Sequence, residues 1–175
     1  MAVEERVDAA TRDGTLITLL GRELQVGDRA PDFLLVDTDL NEVSLADTGS
    51  KVRILSLVHS VDTGVCHTET IRFDEEAAKL DDVDVLTISI DLPFALKRWA
   101  EAEDVRHHQL LSAYRNPQFG IDYGVTMKDL RLLSRTILVL DKDNVIRYAE
   151  YLPEVVAEPD YDDVLAATRQ VASAG

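Results

Sequence analysis

The sequence has 175 residues, the length of one ordinary globular domain that can bury a core without disulfides or metals. Its 46% hydrophobic and 29% charged residues exclude a disordered chain and a membrane-spanning one. The net charge of −15 at pH 7 repels phosphate backbones and anionic lipids, so we expect no nucleic-acid or membrane partner. The N-terminus, MAVEERVDAATRD, does not resemble a secretory signal, and the predicted location is therefore the cytoplasm.

The first half of the chain predicts two hairpins, a buried strand and a helix. Residues 15–28, TLITLLGRELQVGD, predict a small N-terminal β-hairpin hinged at Gly21. Residues 30–47 predict a second hairpin, and the apolar run 51–58, KVRILSLV, predicts a strand covered on both faces. From Gly64 onward, apolar residues recur at helical spacing, and Asp62 or Thr63 can cap the helix. The residues assigned to its buried face are Ile71, Phe73, Ala77, Ala78 and Leu80.

The second half alternates strands with helices. In chain order we predict a buried strand over 83–91, a helix opened by Pro93, and a short strand at Leu110 and Leu111. A short helix within 116–125, a hairpin over 135–152 and a helix over 158–174 follow. The order predicts an α/β fold with a mixed central sheet and flanking helices, in one domain spanning residues 1–175. A strand, a loop and a helix that begins near a thiol have the layout of a thioredoxin-like domain.

The chain has a single cysteine, Cys66, which excludes an internal disulfide. Cys66 falls in the first turn of the helix after the buried strand, where free backbone N–H groups and the helix dipole favour a thiolate. Most lone cysteines are small core residues, which is the alternative interpretation of Cys66. Thr63 lies three residues earlier, where its hydroxyl can approach the sulfur, and this neighbour favours a reactive thiol.

Five segments in the same order resemble the peroxiredoxins, and the thiol peroxidase (Tpx) subfamily in particular. They are DTGVC at 62–66, VGDRAPDF at 26–33, DLNEVSLAD at 39–47, VLTISIDLPFALKRW at 85–99 and EPDYDDVLAA at 158–167. The resemblance implies a thioredoxin-like fold, a peroxidase that reduces hydrogen peroxide or organic hydroperoxides, and a homodimer. It implies no cofactor or metal, since the reducing equivalents come from thioredoxin or a small thiol.

Carried over residue by residue, the resemblance assigns three catalytic residues. Cys66 matches the peroxidatic cysteine, which attacks the O–O bond and becomes a sulfenic acid. Thr63 matches the threonine that hydrogen-bonds the thiolate and the peroxide. Arg135 matches the arginine that stabilises the thiolate; otherwise it is an ordinary charge beside a strand. A cation that enters a buried strand needs an anionic partner, which favours the catalytic role.

Two positions depart from the family pattern. His59 occupies the position of the family's proline, seven residues before Cys66, and cannot reproduce its fixed φ or its apolar surface. Ala100 occupies the position of the resolving cysteine of Tpx proteins. Either the protein works with one cysteine and an external thiol, or alanine is an engineered replacement in a two-cysteine enzyme.

Other functions remain as alternatives. A peroxide sensor without turnover would suit a site that lacks both the proline and the resolving thiol, and an inert Cys66 would suit a purely structural protein. A metal site at His59, Cys66 and His67 has no recognised ligand spacing, so none is expected. His107 and His108 predict a solvated turn, and the acidic run that begins at Asp74 predicts a solvated helix face.

Overall fold

The computed structural model describes residues 2–49 and 51–174. The strands are β1 Glu5–Arg12, β2 Thr15–Leu20, β3 Leu34–Val36, β4 Glu42–Ser44, β5 Val52–Leu57, β6 Val83–Ser89, β7 Gln109–Ser112, β8 Thr126–Met127, β9 Thr136–Leu140 and β10 Ile146–Tyr151. The α-helices are α1 Gly64–Ala77, α2 Pro93–Glu103, α3 Pro117–Asp122 and α4 Tyr161–Ser173. A single 3₁₀ turn among the described residues, Ala46–Thr48, follows β4.

Among the described residues, seven strands form one sheet in the order β10-β9-β5-β6-β7-β3-β4. The central strands β5, β6 and β7 are parallel, whereas β9 runs antiparallel to β5 and β3 antiparallel to β7. The predicted α/β architecture with a mixed central sheet is thus confirmed. In the described part of the chain, none of the helices is both long and apolar enough to cross a membrane.

Helices cover both faces of this sheet, and β5 shows how the sequence arranges it. All six residues of β5 are buried, as expected for a strand covered on both sides. Ile54 packs with α1 and α4 on one face, while Leu55 and Leu57 pack with α3 on the other. Because side chains alternate along a strand, Ser56 shares the face of Ile54 and points toward α1. This polar residue beneath the helix becomes part of the site described below.

The predicted N-terminal hairpin exists, but its second strand was placed on the wrong side of Thr15–Leu20. The partner strand is β1, which precedes it and pairs antiparallel with it. The turn lies at Asp13 and Gly14, whose φ angles of 50° and 78° suit a tight hairpin turn. Gly21 is needed for another reason: a Cβ there would lie 1.9 Å from the carbonyl oxygen of Ile121. A glycine is therefore required at position 21 by a close backbone contact and not by a hinge.

The other predicted elements are confirmed, but the buried face of α1 was assigned partly wrongly: the helix ends at Ala77, so Ala78 and the half-buried Leu80 lie beyond it. Phe73 and Ala77 are buried there as expected, whereas Ala78 is exposed. The inner face carries Cys66, Glu69, Phe73 and Ala77, at spacings of three and four residues. A glutamate on that face was not predicted, because a charged residue at a core position contradicts the hydrophobic pattern used to find the helix.

The prediction of a solvated turn at His107 and His108 was half wrong. His107 is exposed, but the side chain of His108 is fully buried and its Nδ1 lies 3.1 Å from the Asp74 carboxylate. Asp74 also accepts hydrogen bonds from the backbone N–H groups of Arg106, at 3.1 Å, and His107, at 2.6 Å. Asp74 is therefore not part of a solvated acidic face: it ties the end of α1 to the turn before β7.

Candidate active site

Cys66 lies in the first turn of α1 and its side chain is fully buried. The loop from Val58 to Thr63 joins the buried strand β5 to this helix. Asp91, just after β6, holds the loop by accepting hydrogen bonds from Ser60 Oγ at 2.8 Å and from the Val61 N–H at 3.0 Å. The thiol is thereby fixed at the carboxyl end of the parallel strands, where α/β sheets commonly place their sites.

Arg135 approaches the same sulfur from the residue before β9. Its Nη2 lies 3.1 Å from Cys66 Sγ, and its side chain is fully buried. The guanidinium also pairs through Nη1 with the Glu69 carboxylate and donates from Nε to the carbonyl oxygen of Val155 at 3.1 Å. All three of its nitrogens therefore have partners. A fixed cation of this kind favours the thiolate over the thiol.

Glu69 completes the network beneath the sulfur. Its second carboxylate oxygen accepts a hydrogen bond from Ser56 Oγ at 2.6 Å. Burial raises the pKa of Glu69 to about 7, although Arg135 and the Ser56 hydroxyl oppose that rise. Burial alone would lower the pKa of Arg135, but the Glu69 carboxylate and Cys66 raise it overall. Glu69 and a Cys66 thiolate therefore compete for the same guanidinium.

His59 contacts the sulfur as well. Its Nε2 and Nδ1 lie 3.5 Å and 3.6 Å from Cys66 Sγ, and the residue is only 5% exposed. Burial, together with the positive charges of Arg135 and Arg12, lowers the pKa of His59 to about 4. The imidazole is therefore neutral at physiological pH, and both of its ring nitrogens lie within 3.6 Å of the Cys66 sulfur.

Thr63 is the N-cap residue of α1, but its side chain makes no capping hydrogen bond. Its hydroxyl instead donates to the carbonyl oxygen of Ser60 at 2.9 Å. In the described part of the chain, the polar side chains that contact Cys66 Sγ are Arg135 and His59. The structure thus brings Arg135 to the sulfur as the sequence predicts, and leaves Thr63 beside the site with its hydroxyl proton already engaged.

Two residues of this site were not assigned from the sequence. Glu69 lies three residues after Cys66, so a helix starting at Gly64 places both on one face. That spacing is the signal that could have revealed it. Ser56 could have been found from the alternation along β5, since a hydroxyl beneath a helix needs a hydrogen-bond partner. Neither signal shows that Glu69 and Ser56 bond to each other, because that contact depends on how α1 packs on the sheet.

Ala100 lies in α2, which packs beside α1. It is half-buried against an apolar cluster that includes Leu96 and Trp99. The Trp99 indole donates to His67 Nδ1 at 3.1 Å, and His67 directly follows Cys66. No group of three or more potential metal ligands occurs among the described residues, so His59, Cys66 and His67 do not form such a cluster there.

The chain is similar to known proteins over most of its length. The family model described as Redoxin matches residues 25–165. A thiol peroxidase of Streptococcus sanguinis is 46% identical over 90% of this chain and 97% of its own length, and one of Bacillus subtilis is 48% identical over 91% and 95%.

Solved structures show the same fold. A peroxiredoxin-like protein from Aquifex aeolicus has a TM-score of 0.88 and 34% identity, covering 98% of this chain and 99% of that one. A thiol peroxidase from Chromobacterium violaceum has a TM-score of 0.84 at 21% identity, covering 95% and 98%, and therefore supports the fold alone. These likenesses confirm the thioredoxin-like fold. The chain belongs to the Redoxin family and, within it, to the thiol peroxidase (Tpx) subfamily of the peroxiredoxins, so that it is a thiol-dependent peroxidase with a single cysteine.

Proposed function

We propose that Cys66 is the peroxidatic cysteine and that Arg135 stabilises its thiolate. The observation that carries this proposal is the 3.1 Å contact between Arg135 Nη2 and Cys66 Sγ in a fully buried site. The thiolate attacks the terminal oxygen of a hydroperoxide, an S–O bond forms and the O–O bond breaks. Arg135 stabilises negative charge on the sulfur and on the leaving oxygen, in surroundings where such interactions are strong.

Thr63 has the role of positioning the hydroperoxide. Its hydroxyl proton is engaged with the Ser60 carbonyl at 2.9 Å, so its free lone pairs can only accept a hydrogen bond. A hydroperoxide carries one O–H group, which is the matching donor. The substrate would therefore donate to Thr63 Oγ1 while its oxygens face the Cys66 sulfur and Arg135.

Regeneration uses an external thiol, either thioredoxin or a small thiol. Ala100 stands at the position that holds a second cysteine in Tpx proteins, and the chain has one cysteine in all. The thiol attacks the sulfenic acid to form a mixed disulfide and water, and a second thiol then releases Cys66 in reduced form. Because Cys66 is fully buried, the first turn of α1 has to open before a protein thiol can reach it.

The protein works as a cytoplasmic homodimer that binds neither nucleic acid nor membranes. The net charge of −15 at pH 7 supports the absence of polyanionic partners. Exposed apolar side chains at the start of α2, Leu92 at 51% and Phe94 at 65%, support a protein interface close to the site. Light scattering coupled to size exclusion tests the dimer, and replacement of Phe94 by lysine should weaken it if this surface is the interface.

Catalytic turnover tests the proposed function. Reduced protein is supplied with cumene hydroperoxide in excess, with either a thioredoxin system or dithiothreitol as reductant. We expect sustained consumption of hydroperoxide and, in intact mass spectra, a mixed disulfide with the small thiol at Cys66. Consumption of a single equivalent with every reductant would instead support the peroxide sensor. Consumption no faster than with Cys66→Ala would exclude the proposed role of Cys66.

A further inference from the structure

The N-terminal hairpin formed by β1 and β2 has no part in the roles described above, yet it packs against the segment that holds Arg135. This segment, residues 152–157, follows β10, and its Val155 carbonyl oxygen accepts a hydrogen bond from Arg135 Nε at 3.1 Å. The other two partners of the guanidinium, Cys66 and Glu69, both belong to α1. Of these three partners, Val155 is therefore the one that fixes the guanidinium from outside the helix that carries the thiol.

Val155 obtains both a backbone partner and an apolar cover from the hairpin. Its N–H donates to the carbonyl oxygen of Thr11 at 2.9 Å, and the Thr11 N–H donates to the carbonyl oxygen of Pro153 at 2.7 Å. The Val155 side chain is fully buried in an apolar cluster with three hairpin residues and one residue of β8. These are Ala10, Ile17, Leu19 and Met127. The carbonyl bound to Arg135 thus belongs to a residue whose position the hairpin sets.

The Glu154 carboxylate joins the turn of the hairpin to the same segment. Its Oε2 accepts hydrogen bonds from Thr11 Oγ1 at 2.8 Å and from the Gly14 N–H at 3.3 Å. Its Oε1 accepts from the N–H groups of Asp13, at 3.2 Å, and Val156, at 3.3 Å. The bond from the Thr11 hydroxyl is the largest cause of a lowered pKa at Glu154, so the carboxylate is ionised at neutral pH. Hydrogen bonds to an ionised acceptor are stronger than neutral ones, and Glu154 therefore secures the turn.

We propose that Glu154 and Val155 are positioning residues for Arg135: the hairpin, secured by Glu154, seats Val155 so that its carbonyl aims the guanidinium at the Cys66 sulfur. The inference rests on the proposed role of Arg135 in stabilising the thiolate, and it gives the hairpin a part in the reaction. Neither positioning residue is among the described polar contacts of Cys66 Sγ. Their effect on the sulfur therefore passes through Arg135.

The direction of the guanidinium matters because it is a rigid plane with fixed donor directions. A shift of the Val155 carbonyl turns this plane, and the turn moves Nη2 away from its place 3.1 Å from Cys66 Sγ. Inside the protein, where charges are screened less than in water, a small displacement of a cation changes the stability of the thiolate. A loosened hairpin should therefore keep the charge of Arg135 near the site but aim it less well.

A double-mutant cycle tests the proposal. It compares the wild type, Glu154→Ala, Arg135→Lys and the double variant in stopped-flow reactions of the reduced proteins with cumene hydroperoxide. The matched control is Glu158→Ala, the same change at an exposed glutamate four residues later. A second readout is the pH midpoint at which the Cys66 thiolate forms, followed by its ultraviolet absorbance. Circular dichroism verifies that each variant is folded.

Glu154→Ala should react roughly 10-fold more slowly than the wild type, in the range of couplings between residues that share partners, and Glu158→Ala should match the wild type. In the Arg135→Lys background, which has lost the planar fork, Glu154→Ala should reduce the rate by less than about twofold. The pH midpoint of thiolate formation should be higher in Glu154→Ala than in the wild type, because a misaligned cation stabilises the thiolate less.

Equal rates in Glu154→Ala and the wild type would overturn the proposal. So would the same fold loss from Glu154→Ala in both backgrounds, because the effect would then reach the sulfur by a route other than Arg135. If Arg135→Lys does not fold, the thiolate midpoint decides: a raised midpoint in Glu154→Ala supports the proposal, and an unchanged one overturns it. If Glu154→Ala does not fold, Glu154→Gln replaces it, since it retains one acceptor oxygen and should show a smaller loss of the same kind.

The wild type separates this proposal from the proposed function on which it rests. A wild type that reacts no faster than free cysteine would refute the proposed function itself. A fast wild type whose rate and thiolate midpoint are unaffected by Glu154→Ala would refute only the positioning role of the hairpin, and Arg135 would keep its role at the sulfur.

Discussion

Arg135 holds its Nη2 atom 3.1 Å from the sulfur of Cys66, with both side chains fully buried. The same guanidinium is bound to Glu69 and to the Val155 carbonyl, so it cannot turn away from the sulfur without leaving buried polar groups unpaired. Its charge is therefore in place before the substrate arrives. This arrangement places a permanent positive charge against the thiol.

Replacement of Arg135 by lysine should slow the reaction with hydroperoxide by roughly 10²–10³-fold, the usual effect of removing one fixed donor from an active site. Lysine keeps the charge, but it has no planar fork to reach Cys66, Glu69 and Val155 together. Stopped-flow kinetics with cumene hydroperoxide measures the effect. Arg131→Lys, at an exposed arginine, is the control, and a similar rate in all three proteins would contradict the role of Arg135.

Replacement of Glu69 by glutamine should change how stability depends on pH. The pKa of Glu69 is raised in the folded protein from 4.5 to about 7. Between these values the folded protein keeps a proton that the unfolded chain has released, so this group's contribution to stability is full below pH 4.5 and is lost as the pH rises through about 7. The unfolding free energy of Glu69→Gln relative to the wild type, from urea titrations, should therefore increase with pH across this window. A constant difference would show that Glu69 has no raised pKa.

His59 should act on stability in the opposite direction. Its pKa is lowered from 6.5 to about 4, so the unfolded chain binds a proton in this window that the folded protein does not. Its contribution to stability is therefore present above pH 6.5 and is lost as the pH falls toward about 4. His59→Gln should lose less stability than the wild type on acidification, as measured by urea titrations at each pH. An equal loss in both proteins would contradict the buried, neutral state of the ring.

Asp74 should contribute to stability without taking part in the chemistry. Its carboxylate accepts hydrogen bonds from the N–H groups of Arg106 and His107 and contacts His108 Nδ1 at 3.1 Å. Asp74→Ala leaves these groups without that partner and should cost about 1–3 kcal/mol in the free energy of unfolding. Glu75→Ala, on the exposed side of the same helix, is the control. If Asp74→Ala unfolds at the same urea concentration as Glu75→Ala, the contacts of Asp74 do not stabilise the fold.

The fluorescence of Trp99, the only tryptophan, should report the state of Cys66. Its indole donates to His67 Nδ1 at 3.1 Å, and the His67 ring contacts it edge-on at a centroid distance of 5.4 Å. If the first turn of α1 opens to expose the oxidised sulfur, His67 moves away from Trp99. We expect a fluorescence change after one equivalent of hydroperoxide that is reversed by dithiothreitol and absent in Cys66→Ala. A signal that stays constant in the wild type would mean that oxidation leaves this contact intact.

Local patterns in the sequence predict most of the fold, whereas the contact between Arg135 and Cys66 is predicted by the family resemblance alone. The apolar run of β5 and the capped, periodic pattern of α1 predict where the thiol lies, because strand and helix periods are local properties. The resemblance to peroxiredoxins identifies Arg135, which lies 69 residues from Cys66 and has no local signal linking the two. The first strand, Glu5–Arg12, was missed because its alternation is weak and many of its residues are exposed.

The partners of buried polar side chains could not be predicted from the sequence. Glu69 and Asp74 look like ordinary charges on a helix, and His108 like part of a solvated turn. Their burial depends on how α1 packs against the sheet and against the turn before β7, and on groups far away in the chain. The contact of His59 with the sulfur depends on the path of the loop after β5. That path cannot be predicted from the position of His59 in the sequence.

A single-turnover trapping experiment tests most directly whether the buried Cys66 is activated for attack on hydroperoxides. Reduced protein is mixed with one equivalent of cumene hydroperoxide, quenched at successive times with a sulfenic-acid trap and measured by intact mass. We expect trapping far faster than for free cysteine, located at Cys66, slowed in Arg135→Lys and abolished in Cys66→Ala. Trapping no faster than for free cysteine would contradict it, because the contact with Arg135 would then leave the thiol unactivated.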